Sequence, residues 1–156
     1  MYWRVPRAKY EEGKGETNRR AFQRLVRKGP APGVLGYMDG TPAGWCAVGP
    51  RESFPTLDRS RTLKPIDDRP VWAVTCFVTR TGFRRRGISR ALAHAAADFA
   101  RRRGARAVEG YPMITEPGHE VMSVELHVGS RDIFVAAGYV EVSHPTARRV
   151  VMRIDF

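Results

Sequence analysis

Apolar residues recur along this chain with two different spacings, and the spacings mark out its elements. Val34 to Met38 and Ala43 to Val48 predict two strands, joined through Asp39-Gly40, a pair that accepts the positive φ of a tight hairpin turn. Val71 to Val78 is apolar on both alternating faces, Trp72/Val74/Cys76/Val78 and Val71/Ala73/Phe77. That pattern predicts a central strand covered on both sides. Helical spacing appears at Phe22, Leu25 and Val26, after a cap at Thr17 or Asn18 and before the Gly29-Pro30-Ala31-Pro32-Gly33 stop. It returns at Ile88, Leu92, Ala95, Ala96 and Phe99, with Gly104 ending that helix. Arg101 to Arg103 precede the glycine, where cations suit a helix C-terminus.

The remaining stretches complete the element order. Met1 to Val5 predicts a short first strand. Residues 49–70 are polar and punctuated by proline, with a short helix around Leu57 to Leu63. They read as a substrate-facing loop or a solvated surface excursion. Ala105 to Pro112 predicts a strand parallel to Val71–Val78, because a helix crossover connects them. A long loop covers residues 113–129, and Ser130 caps a short helix, Arg131 to Ala137, ended by Gly138. Tyr139–Val142 and Val150–Ile154 make a closing antiparallel pair, which offers an edge for joining subunits in a homodimer.

At 156 residues the chain is expected to be a single domain, residues 1–156, long enough to bury a core. No apolar run approaches the ~20 residues of a membrane span, and MYWRVPRAKYEEGKGE lacks the apolar stretch of a signal peptide. A cytoplasmic protein without a membrane partner is the expectation. Cys46 and Cys76 sit in predicted strands without CxxC spacing or a nearby His, so buried free thiols are expected and no metal site. The 27 basic against 16 acidic residues give a net charge of +11, which attracts anionic cofactors and nucleic acid. Only Lys9, Lys14, Lys28 and Lys64 are lysines, and the basic residues are scattered. Nucleic-acid binding is therefore the lesser reading of that charge.

The segment that carries chemistry is 71–90, VWAVTCFVTRTGFRRRGISR. A strand leads through Arg84-Arg85-Arg86-Gly87-Ile88-Ser89 into a helix. Free amides and the positive end of the helix dipole make an anion pocket there, and Gly87 admits a phosphate close to the main chain. GxGxxG and GxxxxGK[ST] do not occur, so nicotinamide and P-loop readings lose support.

Three features together resemble the GNAT superfamily of acyl-CoA-dependent N-acyltransferases. They are Arg84-x-x-Gly87-x-Ser89, its place between a buried strand and an amphipathic helix, and Phe134-x-x-x-Gly138-Tyr139. The predicted order, β-α-β-β-β-α-β-α-β-β, is similar to that family's over roughly residues 20–156. The resemblance implies an α/β (α+β) fold: a mixed, mostly antiparallel central sheet with splayed parallel central strands, flanked by helices. It implies acetyl transfer from acetyl-CoA to an amine acceptor by direct attack in a ternary complex. The diphosphate would rest on the amides of Arg84, Arg85, Arg86, Gly87, Ile88, Ser89 and Arg90. The pantetheine arm would lie along Phe77, Val78 and Thr79, with the Val78 N–H polarising the thioester carbonyl.

An amine of pKa ~10.4 must shed a proton before it attacks. Glu109 is the leading candidate base, against the alternative that it pairs with one of the arginines. Asp67, Asp68, Glu116 and Glu125 lie in loops that no spacing distinguishes, and His94, His119, His127 and His144 read as ordinary surface or loop residues. Phe134 stands where many family members carry a tyrosine that reprotonates the thiolate. Tyr111 is the candidate substitute, or the thiolate leaves unassisted. Two competing readings remain at this stage: a catalytically inactive acyl-CoA-binding regulatory module, and a basic nucleic-acid-binding protein.

Overall fold

The computed structural model describes residues 1–115 and 125–156. Six strands form one sheet: β1 (Gly33–Met38), β2 (Thr41–Pro50), β3 (Trp72–Thr79), β4 (Ala107–Gly110), β5 (Val140–Thr146) and β6 (Arg149–Asp155). Their order across the sheet is β1-β2-β3-β4-β6-β5. Among the described residues only the strands β3 and β4 pair in parallel, and every other neighbouring strand pair is antiparallel. The helices among the described residues are α1 (Arg7–Glu12), α2 (Glu16–Lys28), α3 (Pro55–Asp58), α4 (Ile88–Arg102) and α5 (Arg131–Val135). The fold is therefore mixed α/β, mostly antiparallel, with one parallel pair at its centre.

The hairpin forms where the sequence predicts it, with Asp39 and Gly40 at φ 49° and 73°. α4 covers one face of the sheet and buries Ile88, Leu92, Ala93, Ala96, Ala97 and Ala100. Small residues let this helix approach closely. A Cβ on Gly44 would stand 2.7 Å from Ile88, and one on Gly36 3.3 Å from Leu92.

Four local expectations give way. Met1–Val5 makes no strand: it is a turn, with the Arg4 amide donating to the Met1 carbonyl at 2.8 Å. The unpredicted α1 follows, six residues too short to show a period. α2 begins at Glu16 behind Gly15, φ 85°, with no side-chain cap: Thr17 and Asn18 lie inside the helix, and the Asn18 amide donates to the Tyr10 carbonyl at 2.9 Å. The helix expected over 57–63 is only Pro55–Asp58, a proline-started turn that ends before Ser60.

A fifth correction concerns the faces of β3. Its register with β2 shifts between Ala47↔Cys76 and Val48↔Val74, so Thr75 is an extra, bulged residue. The alternation reverses there. Val74 and Phe77 both enter the core beneath α4, while Ala73 packs in a second cluster with Phe54, Leu57 and Tyr111. Val78 emerges on the face away from α4, 52% exposed.

The parallel pairing is brief. Trp72, Ala73 and Val74 pair with Val108, Glu109 and Gly110, after which β4 ends and β3 continues to Thr79. The chain beyond β4 turns to bridge Ser130 and Arg149 through Met113, and a 3₁₀ turn, Leu126–Val128, packs beside β3. Two glycines make this possible. Gly129 has φ 86°, with space for a Cβ only 3.0 Å from Phe134 and 3.1 Å from Phe77. A Cβ on Gly110 would lie 2.0 Å from the Phe134 ring, itself fully buried and edge-on to Phe77 and Tyr139. Gly110→Ala is expected to cost at least about 2 kcal/mol of stability by overpacking. Urea unfolding checks this, and an unchanged midpoint would show that the Phe134 ring swings aside freely.

Candidate active site

The loop from β3 to α4 is folded tightly on itself. The Phe83 amide donates to the Arg80 carbonyl at 3.0 Å, and Gly82, Arg85 and Gly87 have φ of 89°, 60° and 76°. α4 then starts without a side-chain cap and without an acidic residue in its first turn. The Ala91 amide bonds the Gly87 carbonyl at 3.0 Å, so the amides of Ile88, Ser89 and Arg90, ahead of it, lack helical partners. They open onto a cleft of about 400 Å³ whose near wall includes Thr79, Arg84, Arg85, Gly87 and Arg90. Leu126, His127 and Ile133 form its far wall. A Cβ on Gly87 would meet nothing within 4 Å, so the main chain is bare on that side.

Unpaired amides, the positive end of a 15-residue helix and three arginines suit a diphosphate. Arg86 is the exception among the three consecutive arginines. Its guanidinium stacks over Phe83 at 5.9 Å and donates toward the Met38 sulfur at 3.6 Å, away from the cleft. Ser89 also contributes a hydroxyl, 3.2 Å from that of Thr79.

β3 reaches the cleft at Thr79. In an antiparallel ladder, the amide and carbonyl of one residue face the same side, and the side alternates residue by residue. The Arg80 amide donates to the Ala43 carbonyl at 3.0 Å, so Arg80 and Val78 turn their main-chain groups toward β2. Phe77 and Thr79 turn theirs toward the gap left by β4, where they have no backbone partner among the described residues. The polarising amide expected from Val78 is thus directed into the ladder opposite Trp45; the outward donors are Phe77 and Thr79.

The candidate catalytic pair is placed elsewhere. Glu109 is 1% exposed, and its carboxylate accepts from Arg153 at 2.6 and 3.1 Å and from the Tyr111 hydroxyl at 2.8 Å. Tyr111, also 1% exposed, accepts in turn from Arg51 at 2.6 Å. Burial, then the Glu109 charge, pushes the Tyr111 phenol well above its ordinary range. Both residues lie at the Val71 end of β3, where Glu109, Arg153, Arg51 and Asp67 border a separate cavity of about 280 Å³. Val71 and Thr79 are roughly 25 Å apart along an extended strand. Glu109 and Tyr111 are therefore members of a buried ionic network, and neither carboxylate nor phenol faces the cleft. The period-two strand pattern could not reveal this, because Arg51 and Arg153 come from segments distant in sequence.

Asp67 closes the network from outside, accepting from Arg153 at 2.6 Å. That bond, followed by the Arg69 amide, holds its carboxyl below the usual 3.8. A carboxyl depressed by folding contributes stability above its unfolded pKa and loses it as pH falls through the folded value. Asp67→Asn is expected to flatten the loss of stability below about pH 4, as read from unfolding midpoints across the acid range. Asp68 is exposed, Glu125 pairs with Arg148 at 3.1 Å, and Glu116 and His119 fall outside the described residues. His94 and His144 are surface residues beside Asp98 and Glu141. His127, by contrast, packs against Tyr2 and Trp3 and borders the cleft, a role the sequence did not signal. Phe134 belongs to the core. The cysteines are free thiols, Cys46 buried and Cys76 half-buried. No helix among the described residues is long and apolar enough to cross a membrane.

Comparison with known proteins agrees with this geometry. Residues 1–112 match the family model described as Acetyltransferase (GNAT) family. Among solved structures, the ribosomal-protein-alanine N-acetyltransferase from Brucella melitensis superposes with a TM-score of 0.54 at 15% identity, over 89% of this chain and 77% of its own. An acetyltransferase of the GNAT family from Desulfovibrio desulfuricans gives 0.54 at 15% identity, over 94% and 88%. The NatC complex, bound to Gag peptide and CoA, gives 0.51 at 11% identity, over 88% and 79%. At these identities the likeness is one of fold. No curated protein matches the sequence significantly.

Proposed function

Because the chain belongs to the acetyltransferase (GNAT) family, we propose that it transfers an acetyl group from acetyl-CoA to a primary amine within a ternary complex. The observation that carries this reading is the uncapped, acid-free start of α4, which opens with three arginines onto the same cleft as the unpaired edge of β3. Acetyl-CoA supplies the activated acyl group and a thiol leaving group of pKa ~8.5.

The chain supplies position and electrostatics. The amides of Ile88, Ser89 and Arg90 hold the diphosphate, with Arg84, Arg85 and Arg90 adding charge. The outward main-chain groups of Phe77 and Thr79 align the pantetheine arm as an added strand would be aligned. One of their N–H groups donates to the thioester carbonyl oxygen as charge grows on it. α4 blocks one face of the sheet, so the amine approaches from the other, and holding both reactants together removes much of the entropic barrier. With Glu109 and Tyr111 enclosed, the thiolate leaves without help from either.

Thiol release measured across a panel of amines, with acetyl-CoA binding measured in parallel by calorimetry, tests the reading. Turnover of at least one amine is expected. Tight binding with no turnover would identify an acyl-CoA-binding regulatory module instead. The cofactor wall has its own prediction: Arg84→Ala with Arg85→Ala weakens acetyl-CoA binding about tenfold or more, from two lost charge-assisted contacts. Arg86→Ala, turned toward Met38, changes it less than threefold.

A further inference from the structure

The face of the sheet opposite α4 carries a row of apolar side chains that the fold leaves partly uncovered. On β1, Val34 and Met38 pack toward α4 and Gly36 lies under Leu92, so Leu35 and Tyr37 point the other way, 56% and 60% exposed. On β2, Gly44 and Cys46 face α4, which places Trp45 on the opposite face, its ring edge-on to Phe22 of α2 at 5.7 Å. Beyond the bulge at Thr75, Val78 emerges on that face too. These positions are direct neighbours across three strands, Leu35↔Trp45↔Val78. The row spans about 10 Å, two interstrand spacings, and ends at the strand whose Thr79 lines the cleft.

Resting on the acetyl-transfer reading above, we infer that this row is the acceptor subsite and that the acceptor is a small monoamine with an aromatic or branched apolar body. Three observations select that class. The row is continuous with the β3 edge proposed to present the thioester, on the face from which the amine must approach. Its length suits one ring system and a short alkyl chain. The helix that leans on Trp45 through Phe22 is strongly cationic: α2 carries Arg19, Arg20, Arg24, Arg27 and Lys28 against Glu16. Such a field repels polyamines and aminoglycosides, whose several charges would have to settle within reach of it.

The same field bears on the proton problem. A nearby positive charge disfavours the protonated form of an amine, and each unit by which its pKa falls makes the neutral, attacking form about tenfold more abundant at neutral pH. For an acceptor with one ammonium and an apolar remainder, α2 thus assists deprotonation while Trp45, Leu35 and Val78 provide the binding. A dedicated carboxylate base is not required, consistent with the enclosure of Glu109.

The test uses the full chain with acetyl-CoA and compares kcat/KM for phenethylamine and tryptamine with that for butylamine, spermidine, kanamycin and a peptide with an N-terminal phenylalanine. The aromatic amines are expected to exceed butylamine and spermidine at least tenfold. Trp45→Ala and, at a more exposed site, Leu35→Asp should each lower that kcat/KM at least tenfold, mainly through KM. Acetyl-CoA affinity in calorimetry should stay within twofold, a control that also reports folding. A preference for spermidine or kanamycin, a tenfold preference for the peptide, or equal effects of both variants on all amines would overturn the inference while leaving acetyl transfer intact. Acetyl-CoA binding without turnover of any amine would instead overturn the transfer reading, and the acceptor subsite with it.

Discussion

Gly87→Glu is expected to lower acetyl-CoA affinity at least a hundredfold in calorimetry while the domain remains folded. The size of the effect comes from two sources acting at one point. A carboxylate would stand where the unpaired amides of α4 converge, opposing a diphosphate across a few ångströms, and its stem would occupy the surface that the bare glycine leaves open. Folding should survive, because a Cβ at Gly87 meets nothing within 4 Å. The φ of 76° then costs only about 1–2 kcal/mol for a residue with a side chain. Arg85, two residues earlier in the same motif, already adopts φ 60°. Gly87→Ala separates the causes: it carries the backbone cost without the charge, and should bind acetyl-CoA within about tenfold of the parent. If glutamate left affinity untouched, the diphosphate would not sit at this turn.

Arg153→Ala is expected to be the most destabilising single change to the ionic network, costing about 3–5 kcal/mol, because it strands the Glu109 carboxylate in the interior. Arg153 and Glu109 are 5% and 1% exposed, and Arg153 holds Glu109 and Asp67 at once. Removing both members, Glu109→Leu with Arg153→Met, should recover most of the loss, since apolar isosteres of a buried pair are often no less stable than the pair itself. Equilibrium urea unfolding of the two variants makes the comparison. Glu109→Gln provides the functional counterpart. It retains an acceptor for the Tyr111 hydroxyl, and its turnover per folded molecule should stay within a few-fold of the parent, whereas a lost general base would cost a hundredfold or more.

The cationic turn at the start of α4 was readable in the sequence because its parts are contiguous. A strand, Arg84 to Arg86, Gly87 and the start of a helix are all local features, and local backbone geometry is what propensity and spacing encode. Arg84, Arg85, Gly87, Ile88, Ser89 and Arg90 accordingly lie where the motif predicted, around one cleft. The neighbouring strand was less legible. An unbroken alternation assigned Phe77 and Val74 to opposite faces, and one bulged residue, Thr75, put both beneath α4. Strand composition does not announce a bulge when every residue around it is apolar or β-branched. The same register explains why the Val78 amide turns into the ladder while those of Phe77 and Thr79 turn outward: the direction of an N–H depends on which partner the ladder pairs it with.

Glu109 and Tyr111 illustrate a harder limit. Glu109 lies on β4 and Tyr111 just past its end, but which groups face them was decided by Arg51 after β2 and Arg153 on β6. No sequence period links those positions. The sequence alone thus determined the hairpin, the strand–helix crossover, the cationic turn that opens α4 and the family to which these belong, since each follows from neighbours along the chain. Tertiary structure decided which carboxylates were locked into ion pairs, which β3 amides were left free and which apolar side chains stayed uncovered. These depend on register and on contacts between distant segments, which exist only once the sheet has closed.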